Sequence, residues 1–259
     1  MLLNIDIAWL VTVMLVFLRL GVLFVVSPIF SSLGGLVTIR VLFSLALSVM
    51  LVVGLKLPLV AAPVAQGGLN VVWLALAAGS ELVLGASMAF GVFAAFGAFS
   101  VAGKLLDIQT GLGMGNVYDP VTRTGSPLFA TLLNLVAVAV FFGLDAHHAF
   151  IRGIAFSLQE VAPGRGLSEL SLEPVLRQFG LTFSLGVALM IPVLLSLLLV
   201  EVGLAVISRT LPQMNILVVG IPIKIIAGVS IFAISIGTIG TVMGKIFTSI
   251  FAFWMQILH

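Results

Sequence analysis

Four ionisable side chains stand in or beside long apolar stretches of this 259-residue chain: Arg19, Glu81, Glu201 and Lys245. A charge at the centre of a bilayer costs about 2.5–3.5 kcal/mol on insertion scales. Each of the four therefore needs a partner or a path to water. Glu201 and Lys245 read as side chains that snorkel from near a helix end. Arg19 and Glu81 are buried ion-pair candidates, although spacing does not say which charge each one meets. The rest of the polar inventory offers no catalytic residues. Histidine occurs at 147, 148 and 259, and an adjacent pair cannot chelate as two histidines one helical turn apart do. Asp107, Asp119 and Asp145 sit at the ends of apolar segments, and Ser126 precedes a proline with no base nearby, so no activated nucleophile is formed. Gly111-Leu-Gly113-Met-Gly115 lacks dinucleotide-binding spacing, and no phosphate-binding Walker sequence occurs. No cysteine is present. No enzyme, metal or cofactor is expected.

The segment Gln109-Thr-Gly-Leu-Gly-Met-Gly-Asn-Val-Tyr-Asp-Pro120 is of a different kind. It is rich in glycine, contains one charge, and lies between two apolar stretches. Glycine admits positive φ and close backbone approach. Non-helical backbone at membrane depth is tolerated where it is buried in protein or lines a water-filled cavity. A constriction or plug inside a channel meets those conditions, and so does an ordinary exposed loop.

The elements that must carry these residues follow from composition. Apolar residues make up 61% of the chain and charged residues 8%, against about 45–50% and about 25% in soluble domains. Mean hydropathy is +1.35. A soluble cytosolic enzyme is excluded; an all-α, integral membrane-class protein of long, kinked helices and helical hairpins is expected. The net charge of +2, without a basic cluster, excludes nucleic acid as a partner. The N-terminus lacks the basic region of a cleaved signal peptide.

Seven apolar segments are readable: Ile7 to Val26, Val37 to Leu55, Leu69 to Gly103, Leu128 to Leu144, Phe179 to Val200, Ile216 to Ile236 and Ile239 to Leu258. Turn signals separate them at Ser27-Pro28, Pro58 with Pro63, 104–127, 145–178 and Arg209 to Pro212. The polar interval 145–178 divides the chain into residues 1–178 and a final helix–loop–helix unit, 179–259. Taken as seven crossings, these segments place basic residues almost evenly on both sides, so the positive-inside rule assigns no orientation. Pro192 predicts a kink in its segment. Ala94, Ala98 and Ala102, the phenyl series Phe90, Phe93, Phe96 and Phe99, and the pair Gly240 and Gly244 suit close helix packing, within the chain or against others.

Several of these features resemble one family in order and across the chain. They are Phe17-Leu-Arg19-Leu-Gly-Val-Leu-Phe24 with Ser27-Pro28-Ile-Phe30, then Arg40, Gln109-Thr-Gly-Leu112 with Asp119-Pro120, and the Asp145-Ala-His147 turn. Most specific is Leu211-Pro-Gln-Met-Asn-Ile-Leu-Val-Val-Gly-Ile-Pro-Ile-Lys224. The chain is similar to the FliR family of flagellar type III export-apparatus proteins, with the injectisome counterpart as the nearest alternative and a stand-alone secondary permease as another. The resemblance implies a subunit of a helical hetero-oligomer with FliP and FliQ, its entrance wrapped by FlhB. That assembly would sit in the bacterial inner membrane at the flagellar basal body, raised in part toward the periplasm, and pass unfolded flagellar subunits. It implies a FliP-like part over 1–178 and a FliQ-like hairpin over 179–259. It maps a pore plug onto Gln109, Gly111, Leu112, Gly113, Met114, Gly115, Asn116, Val117, Asp119 and Pro120. It makes Arg209, Pro212, Gln213, Met214, Asn215 and Lys224 a partner-contact turn facing the cytoplasm.

Overall fold

A computed structural model of the protein describes residues 7–31, 37–60, 64–65, 68–112, 127–165, 171–211 and 216–258. Its helices are α1 (Ile7–Val26), α2 (Pro28–Ser31), α3 (Val37–Gly54), α4 (Val71–Thr110), α5 (Leu128–Gly143), α6 (Ala146–Glu160), α7 (Glu173–Thr210) and α8 (Ile216–Leu258). Between α3 and α4, β1 (Val64–Ala65) pairs antiparallel with β2 (Gly68–Leu69). This short rung is the extended pairing among the described residues, and the class is all-α. Five helices are long and apolar enough to cross a membrane, or up to six if the α5–α6 pair, bent by 75°, forms one span.

The structure corrects the reading of seven separate segments. The last two are a single helix, α8, of 43 residues. Gly237 and Thr238 mark the apparent gap; glycine inside a helix costs about 1 kcal/mol relative to alanine but leaves the hydrogen-bond ladder intact. The interval 145–178 also contains α6, whose Ala146, Phe150, Ile154 and Leu158 are buried at every fourth position while Arg152 and Glu160 are exposed. This amphipathic spacing is diluted by charge in a hydropathy reading. α7 runs as one helix through Pro192. At about 1.5 Å per residue, α4, α7 and α8 each exceed the ~30 Å bilayer core.

Chain contacts divide into two compact units: residues 1–94, 145–178 and 249–259, and residues 95–144 and 179–248. In the first, Phe24 meets Phe43 and Phe150 edge-on. Trp254 is buried and its Nε1–H donates to the Met88 carbonyl oxygen at 2.9 Å. Gly91 and Gly153 leave the space that the Trp254 ring fills. In the second, Phe96, Phe99, Phe141 and Phe247 form one ring cluster with centroid separations of 5.4–6.5 Å. Leu189, Met190, Val193 and Leu197 are the buried stripe of α7. Much of the remaining apolar surface is open, including Leu195, Leu199 and Val202 on α7 and Ile226 and Ile234 on α8.

Candidate functional site

Arg19 and Glu81 meet each other. α1 carries the arginine and α4 the glutamate, and the side chains are 1% exposed. Nε–H of Arg19 donates to Oε2 of Glu81 at 2.6 Å and its second terminal nitrogen to Oε1 at 3.1 Å, a two-pronged pair. The guanidinium also donates to the carbonyl oxygens of Ser157 at 2.8 Å and Val161 at 2.9 Å. The N–H of Gly164 donates to Oε1 of Glu81 at 3.0 Å. Gly164 has φ +78°, and Leu15, Val60 and Trp73 crowd the place a side chain would take. A methyl group on Gly85 would overlap the Arg19 backbone, so α1 and α4 touch beside the pair. Two charges and their remaining donors and acceptors are thereby satisfied without water, which a buried ion pair requires.

The second polar site lies at the root of the glycine-rich segment, in the other unit. Gly111, with φ +85°, takes the left-handed conformation just past α4, and its N–H donates to the Ile108 carbonyl oxygen at 3.1 Å. Glycine is the residue that ends a helix this way. On the preceding turn, Gln109 Nε2–H donates to Oε2 of Glu201 at 3.0 Å, and Lys224 Nζ donates to Oε1 of the same carboxylate at 3.0 Å. One glutamate thus joins α4, α7 and α8. A cavity of about 480 Å³ opens beside it, lined by Ile108, Gln109, Thr110, Gly111, Leu204, Ile221 and Lys224 among others.

Across the segment, α5 begins after Pro127, which supplies no capping side chain. Its first free donors are instead met by Asp107 of α4: the N–H of Phe129 donates to Oδ1 at 2.9 Å and that of Ala130 to Oδ2 at 3.2 Å. Asp107 is 3% exposed. One turn earlier, a methyl group on Gly103 would overlap the Ala130 backbone, and two turns earlier Ser100 and Asn134 exchange hydrogen bonds at 3.1 and 3.4 Å. Residues 100, 103 and 107 share one face of α4, and α5 lies against that face.

Of the plug residues expected from the sequence, Gln109, Gly111 and Leu112 fall in the described part. Gly113, Met114, Gly115, Asn116, Val117, Asp119 and Pro120 lie outside the described residues, as do Pro212, Gln213, Met214 and Asn215 of the expected turn. Arg209, exposed in the last turn of α7, and Lys224 of α8 flank that turn. Asp107 was passed over as a segment-end charge, and Glu201 as a snorkelling one. The signal for the first was a helix start at Pro127 with no oxygen to cap it. For the second it was Gln109 and Lys224, two polar side chains in otherwise apolar runs. Asp145, which adopts φ +55° before α6, His147 and His148 bring three donor atoms within 4.8 Å of one another. Here Asp145 Oδ1 lies 3.6 Å from Nδ1 of His148, so the pair closes as an acid–imidazole contact.

Comparisons place these features among known sequences. The family described as bacterial export proteins, family 1, matches residues 10–250. The flagellar biosynthetic protein FliR of Bacillus subtilis is 30% identical over 152 residues, 57% of this chain and 59% of that protein. The protein of the same name from Pectobacterium carotovorum is 26% identical over 252 residues, 93% of this chain and 90% of that one. The secretion system apparatus protein SsaT of Salmonella typhimurium is 26% identical over 155 residues, 59% of each. The chain therefore spans less than two thirds of the Bacillus and Salmonella relatives and most of the Pectobacterium one.

Proposed function

The chain belongs to the bacterial export proteins, family 1, and on that premise we propose that it is a FliR-type subunit of the flagellar type III protein-export gate. The family match carries this reading: it runs over residues 10–250, so the glycine-rich segment, its polar root and the Leu211 to Lys224 turn all fall inside it. The chain acts as a passive gate without turnover. Residues 109–120 block the pore at rest, with Leu112, Met114 and Val117 packing into a ring completed by neighbouring chains. An unfolded flagellar subunit entering from the cytoplasm displaces them. The proton motive force and an ATPase elsewhere supply the energy.

FliP and FliQ are the neighbours in this reading, residues 1–178 standing for a FliP-like part and 179–259 for a FliQ-like hairpin. Helices whose natural neighbours are sister chains account for two observations together. α7 and α8 expose large apolar side chains. Side chains built at Gly240 and Gly244 would meet nothing within 4 Å, which leaves room for another backbone. The turn 211–224, flanked by Arg209 and Lys224, faces the cytoplasm and contacts FlhB. Purification from the native membrane followed by mass spectrometry tests the reading. FliP- and FliQ-type proteins should travel with the chain; a monodisperse monomer that moves a small solute unaided would overturn it.

A further inference from the structure

We infer that Asp107 is the positioning residue of the glycine-rich loop, a single carboxylate that ties the helix leading out of the loop to the helix leading in. The two N–H groups it accepts, on Phe129 and Ala130, occupy the second and third positions of α5. Those are the donors that a helix's own N-cap side chain ordinarily serves. Pro127 stands at the cap and has no oxygen on its side chain. α4 begins in the ordinary way: Asn70 Oδ1 accepts the N–H groups of Val72 and Trp73, both at 3.1 Å. In α5 the same task has been moved to a residue on the far side of the loop.

The transfer has a mechanical consequence that a local cap lacks. A capping residue at 127 would fix the start of α5 and nothing more. Asp107 fixes it to the last turn of α4, so both ends of residues 111–127 are held at one separation. Gly103 allows α5 to approach closely enough for the short aspartate side chain to reach. Among the described residues no cation pairs with Asp107, which meets the N-terminal end of α5. Two residues further on, Glu201 holds Gln109 to Lys224, which fixes the incoming side of the root to α7 and α8. The consequence for gating rests on the export-gate reading: a plug seats reproducibly when its ends cannot drift.

The test uses the full-length chain expressed with its export apparatus. Because the chain has no cysteine, nitroxides can be placed at Ile108→Cys and Leu128→Cys, both exposed positions. Dipolar broadening between them should be strong in the parent, weakened in Asp107→Ala, and still weakened in Asp107→Ala with Pro127→Ser, where a local cap repairs α5 without reaching α4. Broadening that is unchanged in Asp107→Ala, or that returns to the parent level in the double variant, would overturn the inference. Should Asp107→Ala fail to accumulate, Asp107→Leu, which keeps the side-chain bulk and no acceptor oxygen, carries the same readout. Membrane ion leak is measured alongside, with deletion of Gly111 to Asn116 as the control. Leak should rise several-fold in Asp107→Ala. A deletion that leaks while Asp107→Ala does not would remove the anchor's part in gating. A deletion that does not leak would defeat the plug reading, and the broadening would still decide the anchor.

Discussion

The pair Arg19 and Glu81 defines what a charge does inside this chain. With both partners present, every donor of the guanidinium that faces protein has an acceptor, and the carboxylate also receives the Gly164 N–H. Removing one partner strands the other, which for buried pairs costs about 3–5 kcal/mol, whereas replacing both by apolar groups is often far milder. Glu81→Leu should therefore unfold at clearly lower temperature than the parent, followed by tryptophan fluorescence in detergent. Arg19→Met with Glu81→Leu should recover part of the loss but not all of it, since the Val161 carbonyl loses its Arg19 donor and the Gly164 N–H its Glu81 acceptor. A double variant less stable than Glu81→Leu would mean that the pair does not act as a unit. The need for partners was legible in the sequence, because both charges interrupt apolar runs. Their pairing was not, because 62 residues separate them and only the packing of α1 on α4 brings them together.

At the scale of elements, small residues decide which helices touch. Ala98 and Ala102 of the alanine series are buried, as Gly103 is, while Gly240 and Gly244 face open space. Spacing alone could not separate these cases, since a small residue every fourth position looks the same in either setting. The phenyl series divides similarly: Phe96 and Phe99 are buried in the ring cluster and Phe93 is exposed. Gly103→Ala is the sharpest probe of the α4–α5 contact. Its methyl group would meet the Ala130 backbone, which cannot rotate away as a side chain can, and overpacking of this kind costs about 1–3 kcal/mol. The variant should lower the unfolding temperature, while Gly240→Ala, with nothing within 4 Å, should hold or slightly raise it, because alanine is the better helix former. Equal effects would contradict the contact. Helix existence was legible throughout the apolar runs; the continuity of α8 and the presence of α6 were not. Hydropathy registers glycine and charge as interruptions, whereas the backbone ladder passes through both.

For the whole molecule, the composition that excluded a soluble enzyme also describes a chain whose own core uses only part of its apolar surface. Two compact units are each well packed, and the exposed faces of α7 and α8 await lipid or neighbours. Family membership supplies the setting, a bacterial export apparatus in a membrane, and in the proposed reading the glycine-rich segment is the part that closes the passage. The most direct measurement is the ion conductance of membranes carrying the assembled apparatus, with the chain either intact or lacking Gly111 to Asn116. The account predicts that the intact assembly holds its ions and that the shortened one leaks at unchanged chain level. Equal conductance in the two would contradict it.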